Sequence, residues 1–168
     1  MVLIDKPKGW TSHDVVAKLR GIAGTRRVGH AGTLDPMATG LLLVGVNAGT
    51  KLLTFLVGAS KTYEATLRLG ASTVTDDAEG EITASSDARP DDDAIKAALG
   101  AFVGEIMQVP PKFSAVKIDG ERAYKRARDG ETMEIAARPL WVEELLLTDR
   151  PDADHVCLEM TCGKGGYV

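Results

Sequence analysis

The sequence has few of the residues that usually announce a metal, redox or disulfide site. Its only histidines are His13, His30 and His155, none in an HExxH pattern or a His/Cys cluster, so a metal hydrolase would lack ligands. The two cysteines, Cys157 and Cys162, stand five apart in a strand-like segment. That spacing places them on opposite faces and matches neither a zinc nor a CxxC redox pattern, which predicts small core or half-buried thiols. A Walker loop, a GxGxxG loop and a GxSxG elbow are all missing, so P-loop, dinucleotide-fold and serine-hydrolase chemistry have no foothold. No run of about eighteen apolar residues occurs, and the opening MVLIDKPKGW has neither the basic nor the long apolar region of a secretory leader. The expectation is a cytoplasmic protein.

The composition is that of a folded domain. With 44% hydrophobic, 26% charged and 5% aromatic residues over 168 positions, the chain can bury a core and suits one domain or a large piece of one. A formal net charge of −4 argues against a surface that binds nucleic acid everywhere. The charge is unevenly spread, however. Residues 1–63 carry eight Lys and Arg against three Asp, and residues 112–128 carry six against Asp119 and Glu121. Residues 76–93 hold eight acids against Arg89 alone. Basic patches can therefore face a polyanion while the acidic segment faces solvent.

Alternating elements follow along the chain, with no internal repeat and no low-complexity linker. VLID suggests a short strand ended by the Lys6-Pro7-Lys8-Gly9 turn. Thr11 and Asp14 form a capping-box variant, and Val15, Val16, Leu19, Ile22 and Ala23 fall at helical spacing, predicting a helix over 13–23 closed by Gly24. LLLVGV, aliphatic and bounded by glycines, predicts a buried strand, and a short helix is expected from Gly49 through Phe55. In KTYEATLRLG, Tyr63, Ala65, Leu67 and Leu69 alternate with polar residues as in a half-buried strand. Asp91 to Asp93 cap a helix whose inward stripe is Ile95, Ala98, Leu99 and Phe102. Pro110-Pro111 breaks the chain, ERAYKRARDG predicts a basic helix ended by Gly130, and the segments 132–150 and 155–162 look like strands. Helices and hairpin-like strands without a regular strand-helix repeat favour an α+β fold with a mixed, largely antiparallel sheet.

The stretch VGHAGTLDPMATGLLLVGV, residues 28–46, concentrates glycines around one Asp-Pro pair. Proline pushes the preceding Asp35 toward extended backbone, and Gly29, Gly32 and Gly40 allow close approach on either side. These features suit a displayed carboxylate, and they equally suit a tight glycine-rich turn.

A resemblance spanning the chain decides between them. IDKPKGWTSHDVV, VGHAGTLDPMATGLLLVGVNAGTKL, KTYEATLRLGASTVTDDAEGEI, VPPKFSAVKIDGERAYKRARDGE and CGKGGYV resemble, in order, the motifs of the TruB family of tRNA pseudouridine synthases. The second, a GHxGTLDPxATGxL string over residues 29–41, is the most specific. The resemblance implies the pseudouridine synthase fold, residues 1–168 forming a catalytic domain, and isomerisation of the uridine at conventional position 55 of the tRNA T loop. Such an enzyme breaks the N1 glycosidic bond, turns the uracil and rejoins it through C5, needing no cofactor and no metal. It implies that Asp35 is the catalytic aspartate, since an ionised carboxylate can act as a nucleophile. Addition to uracil C6, attack on ribose C1′ and removal of a ribose proton all remain open paths. Tyr63 matches the tyrosine that stacks on the flipped base, His30 the histidine that helps open the RNA loop, and Tyr167 a second active-site tyrosine. Lys51 is assigned to the substrate, and Lys6, Lys8, Arg26, Arg27, Lys112, Lys117 and Lys125 to the RNA backbone. tRNA, through its T-arm stem-loop, is the expected partner, with no obligate protein partner and no membrane.

Three departures from the family pattern stand out. The family's hydroxyl residue after the histidine is Ala31 here, and Gly166 replaces a common threonine. The arginine that pairs with the family's aspartate follows the last-motif tyrosine by two positions, one beyond Val168. The expectation is an incomplete catalytic domain without a C-terminal RNA-binding extension, nearly inactive on its own. A non-catalytic tRNA-binding or chaperone module on the same fold is the alternative reading, and a relative working within a guide-RNA particle a third. Compact spacing between motifs favours a stand-alone enzyme.

Overall fold

The computed structural model describes residues 1–111 and 135–167, together with the backbone of Lys117–Ile118 and Glu121–Arg122. It divides the chain into two compact units, Met1–Ala59 and Ser60–Val168.

The first unit is a three-stranded antiparallel sheet carrying one helix. β1 (Val2–Lys6) and β2 (Val28–His30) flank the central β3 (Gly40–Val46), with Lys6 opposite Gly40 and Val28 opposite Val46. α1 (Ser12–Ala23) follows the turn after β1. The capping box forms as expected: the Thr11 hydroxyl accepts from the Asp14 N–H at 3.0 Å, and the Asp14 carboxylate accepts from the Thr11 N–H at 2.8 Å. Gly24 ends the helix in the left-handed region, at φ +60 and ψ +28, where a side chain would be strained. Val15 and Val16 of α1 pack on Val28, Leu42 and Val44 to form the core of this unit, supported by Ile4, Leu19 and Val46. Each such buried aliphatic side chain contributes on the order of 1.5–3 kcal/mol. The short helix expected from Gly49 is a 3₁₀ turn over Asn47–Leu52 running into α2 (Leu53–Leu56).

The second unit is built on a four-stranded antiparallel sheet. Its strands are β4 (Lys61–Arg68), β7 (Gly104–Gln108), β10 (Arg138–Asp149) and β11 (His155–Cys162), in the order β4-β11-β10-β7. β5 (Ala71–Thr73) pairs with β6 (Ile82–Ser85), and β8 (Lys117–Ile118) with β9 (Glu121–Arg122), each antiparallel. α3 (Asp92–Leu99) starts from the Asp91 side chain, which accepts from the Ala94 N–H at 2.8 Å. Leu140, Val142 and Cys162 are buried together, with Tyr63, Ile106, Leu145 and Met160 packed against them.

These elements are those of an α+β fold, and every pairing between described strands is antiparallel. Three local expectations are corrected. The alternation half-buries Tyr63 and Ala65 in β4 and Leu69 just past it, but leaves Leu67 48% exposed. The α3 stripe buries Ile95 and half-buries Leu99, while Ala98 is exposed and Phe102 lies in a following 3₁₀ turn, 54% exposed, because the helix ends before a further inward position is reached. The basic helix expected from Glu121 does not start there, since Glu121–Arg122 pair as a strand; residues 123–130 lie outside the described residues. Both cysteines are free thiols, Cys157 half-buried and Cys162 buried. Among the described residues no helix is long and apolar enough to cross a membrane.

Hydrogen bonds from Thr11 hold the Asp14 carboxyl below its usual range. A lowered folded-state value means that this stabilisation is present above the ordinary carboxylate range and is lost as pH falls through the lowered value. Thr11→Ala is expected to cost about 1 kcal/mol of stability at neutral pH, the usual loss for a removed N-cap. Urea unfolding at pH 7 and at pH 3 checks this, with a smaller difference between the two proteins expected in acid.

Candidate active site

The loop 31–39 connects β2 to β3, and the pairing of Lys6 with Gly40 sets it beside the turn that follows β1. Asp35 lies in this loop and is exposed. Its neighbours on both sides are clamped. Ser12, only 3% exposed at the start of α1, bonds reciprocally to Leu34: its Oγ accepts from the Leu34 N–H at 2.9 Å and donates to the Leu34 carbonyl at 3.1 Å. The Gly9 N–H donates to the Pro36 carbonyl at 2.7 Å, from a backbone at φ +85 that only glycine adopts without strain. The Ala38 N–H donates to the Asp35 carbonyl at 3.1 Å, closing a turn in which Pro36 sits at the second position that its ring favours. The carboxylate is thus carried between two anchored peptide groups. A turn and a displayed carboxylate are both present, and the first builds the second.

His30 is half-buried at the end of β2, and its Nδ1 bonds to the carbonyl of Gly32 in the same loop. A carbonyl only accepts, so Nδ1 is the donor in this bond.

The basic residues are distributed more widely than the sequence suggested. Lys6 is fully buried, and its Nζ donates to the carbonyls of Pro7 at 3.2 Å and Trp10 at 2.6 Å. Its assignment to the RNA backbone is therefore corrected: the ammonium braces the turn that supplies Gly9 and does not face a polyanion. Lys8 is exposed in that turn. Arg26 and Arg27, also exposed, precede β2, and exposed Lys51 follows β3, so these three flank the opposite end of the sheet from the Gly40 end of the Asp35 loop. Lys112 and Lys125 lie outside the described residues, and of Lys117 only the backbone, in β8, is described.

In the second unit, Tyr63 on β4 pairs with Met160 of β11 and packs on the Leu140, Val142 and Cys162 cluster. Burial pushes its phenol up from the usual value, and neighbouring Cys162 adds to this. The Cys162 thiol is also raised, by burial first and by Glu143, with Lys61 opposing. Tyr63 is therefore a neutral ring throughout the physiological range. Gly166 lies against the same cluster: a Cβ there would stand 3.1 Å from both methyls of Leu140 and 3.2 Å from Cys162 Sγ. A threonine at this position would have to displace two buried side chains. Tyr167 follows, half-buried, with its backbone held by Gln108. The fold thus gathers Tyr63 and the Gly166-Tyr167 segment around one patch of core.

Sequence reasoning missed Ser12, Gly9 and Gln108, which hold the predicted residues. Gly9 and Ser12 stand within a quoted motif and Gln108 just before one, but none carries chemistry that composition or spacing would single out. Among the described residues no three His, Cys, Asp or Glu side chains converge in a way that could hold a metal ion.

Residues 20–168 match the family model described as TruB family pseudouridylate synthase (N terminal domain). The chain is 64% identical over 167 residues to tRNA pseudouridine synthase B of Ruegeria pomeroyi, covering 99% of this chain and 55% of that protein. The protein of the same name from Roseobacter denitrificans is 63% identical, with the same shares covered. That from an Arthrobacter species is 54% identical, covering 100% of this chain and 57% of the relative. The chain spans about half the length of these curated relatives. Among solved structures, a chain of a Cbf5-Nop10-Gar1 complex superposes with a TM-score of 0.69 at 28% identity, over 99% of this chain and 40% of that one.

Ser12→Ala removes a buried hydroxyl and strips both bonds from half-buried Leu34. Losing these two part-buried hydrogen bonds costs roughly 1–3 kcal/mol, at about 0.5–1.5 each. Chemical denaturation should show a loss of that size, and an unchanged midpoint would mean that Leu34 is held by other contacts.

Proposed function

The chain belongs to the TruB family of pseudouridylate synthases, and on that premise we propose that the protein it forms part of isomerises uridine to pseudouridine in the T loop of tRNA, at conventional position 55. Its α+β fold is the pseudouridine synthase fold. Residues 1–168 belong, in this proposal, to one catalytic domain. Relatives bearing the name tRNA pseudouridine synthase B, at 64% and 63% identity, support tRNA as the substrate class.

The observation that carries the reading is the Asp35 loop. The family's signature string places an exposed carboxylate between two clamped peptides, through Ser12 on Leu34 and Gly9 on Pro36. A nucleophile gains from being held in place before substrate arrives, because no ordering cost is then left to the reaction itself. Asp35 serves as the nucleophile while the N1–C1′ bond breaks and the C5–C1′ bond forms. The proton on C5 is released and N1 regains one, so product and substrate are isomers and no cofactor is consumed.

The target uridine must leave its stack to reach Asp35. Tyr63, neutral and half-buried on a strand, offers a rigid ring on which the uracil stacks. His30, tethered to Gly32, takes part in opening the RNA loop, and Tyr167 is the second tyrosine of the site. Lys51, Lys8, Arg26 and Arg27 contact the RNA, the last three at backbone phosphates, which fixes register and carries no sequence information. Lys112, Lys117 and Lys125 extend that set.

Tritium release from uracil C5 in a T-arm hairpin RNA tests the proposal, with the full-length protein compared with its Asp35→Asn variant. Release from the parent and none from the variant, with RNA binding retained in both, is the expected result. RNA binding without release from either protein would replace the enzyme by a tRNA-binding module.

A further inference from the structure

The segment after β11 is rich in glycine, with Gly163, Gly165 and Gly166 before Tyr167, and Gly165 at φ +87. Such a backbone has much conformational freedom to lose. Ladder pairing ends with the Gly163 N–H, which donates to the Trp141 carbonyl at 2.9 Å. The next described anchor of this segment is a side chain. Gln108, the last residue of β7, turns its amide to Tyr167 across fifty-nine positions of sequence: Nε2 donates to the Tyr167 carbonyl at 2.8 Å, and Oε1 accepts from the Tyr167 N–H at 3.0 Å.

A primary amide presents a donor and an acceptor side by side. Set against the N–H and C=O of one residue, it reproduces the pair of bonds that a neighbouring antiparallel strand would make. From the other side, Gly166 is seated closely on Leu140 and Cys162, where an added Cβ would stand 3.1–3.2 Å from their side chains. Backbone bonds at Tyr167 and close packing at Gly166 together fix the direction of the Tyr167 Cα–Cβ bond.

We propose that Gln108 is a positioning residue for Tyr167, holding that tyrosine in its working orientation through the paired backbone bonds. This rests on the reading of Tyr167 as an active-site residue. Gln108 itself does not touch the substrate. Only a residue offering both a donor and an acceptor at this reach performs the task. Methionine matches glutamine in length but forms neither bond, and glutamate turns a carboxylate oxygen toward the Tyr167 carbonyl.

The test is a double-mutant cycle in the full-length protein, with kcat and KM taken from tritium release on the T-arm hairpin. Gln108→Met is expected to lower kcat by between about tenfold and a hundredfold, the loss that follows a misplacement of about 1 Å, with KM within about twofold. In a Tyr167→Ala background the same substitution should cost nothing further, because there is no ring left to position. An equal additional loss in that background, or a Gln108→Met enzyme at the parental rate beside a slow Tyr167→Ala, overturns the proposal. A Tyr167→Ala enzyme at the parental rate overturns instead the reading of Tyr167 on which it rests. Should Gln108→Met fail to fold, Gln108→Glu decides: reduced kcat at unchanged KM supports positioning, and the parental kcat refutes it.

Discussion

The hydroxyl of Ser12 holds both backbone polar groups of Leu34, and the display of Asp35 depends on that contact. One donor and one acceptor on a single oxygen satisfy an N–H and a C=O that lie outside any ladder. Buried polar groups without partners are costly, so this small contact decides where the chain can run. It depends on elements already in place. The capping box sets the start of α1 and thereby Ser12, α1 packs on β2 and β3 through Val15 and Val16, and the buried Lys6 ammonium braces the turn that delivers the Gly9 N–H to Pro36. Asp35 is displayed as a result of these contacts, without any that the structure describes to its own carboxylate.

The second unit reaches the same end by similar means. Where the strand ladder stops after Cys162 and glycines follow, the Gln108 amide substitutes for a strand, and the missing side chain of Gly166 lets the segment settle on Leu140 and Cys162. In both units a polar side chain on a regular element fixes an irregular segment that carries an expected functional residue. Regular elements supply rigidity, and the loop supplies exposure.

Much of this was legible in the sequence, for identifiable reasons. Thr11, Asp14 and Gly24 marked the ends of α1 because capping chemistry is local, the alternation at Tyr63 and Ala65 reports a periodicity that burial enforces, and the aliphatic run marked the β3 strand but not its exposed Leu41. The GHAGTLDP string pointed to Asp35 only through family resemblance, since as a bare pattern it was also an ordinary turn. What escaped depends on how side chains close on the folded backbone, which no spacing rule announces. A lysine in a KPKG turn looks solvated until the carbonyls of Pro7 and Trp10 are seen to enclose it. Ser12 stands just before the helix expected over 13–23, and Gln108 lies in a stretch to which the spacing assigns no element. Leu67 and Phe102 fitted their stripes, yet the sheet and α3 do not extend far enough to cover them.

The central claim is that the Asp35 loop is held ready by its two clamps before any RNA binds. Residue-resolved hydrogen exchange of the intact, RNA-free protein tests it most directly, through the amides of Leu34 and Gly9, which donate to Ser12 Oγ and the Pro36 carbonyl. Protection of both amides, comparable to that of the β3 amides, is the predicted result. Exchange at the rate of an open loop would mean that the carboxylate is ordered only when substrate arrives, and would contradict the account.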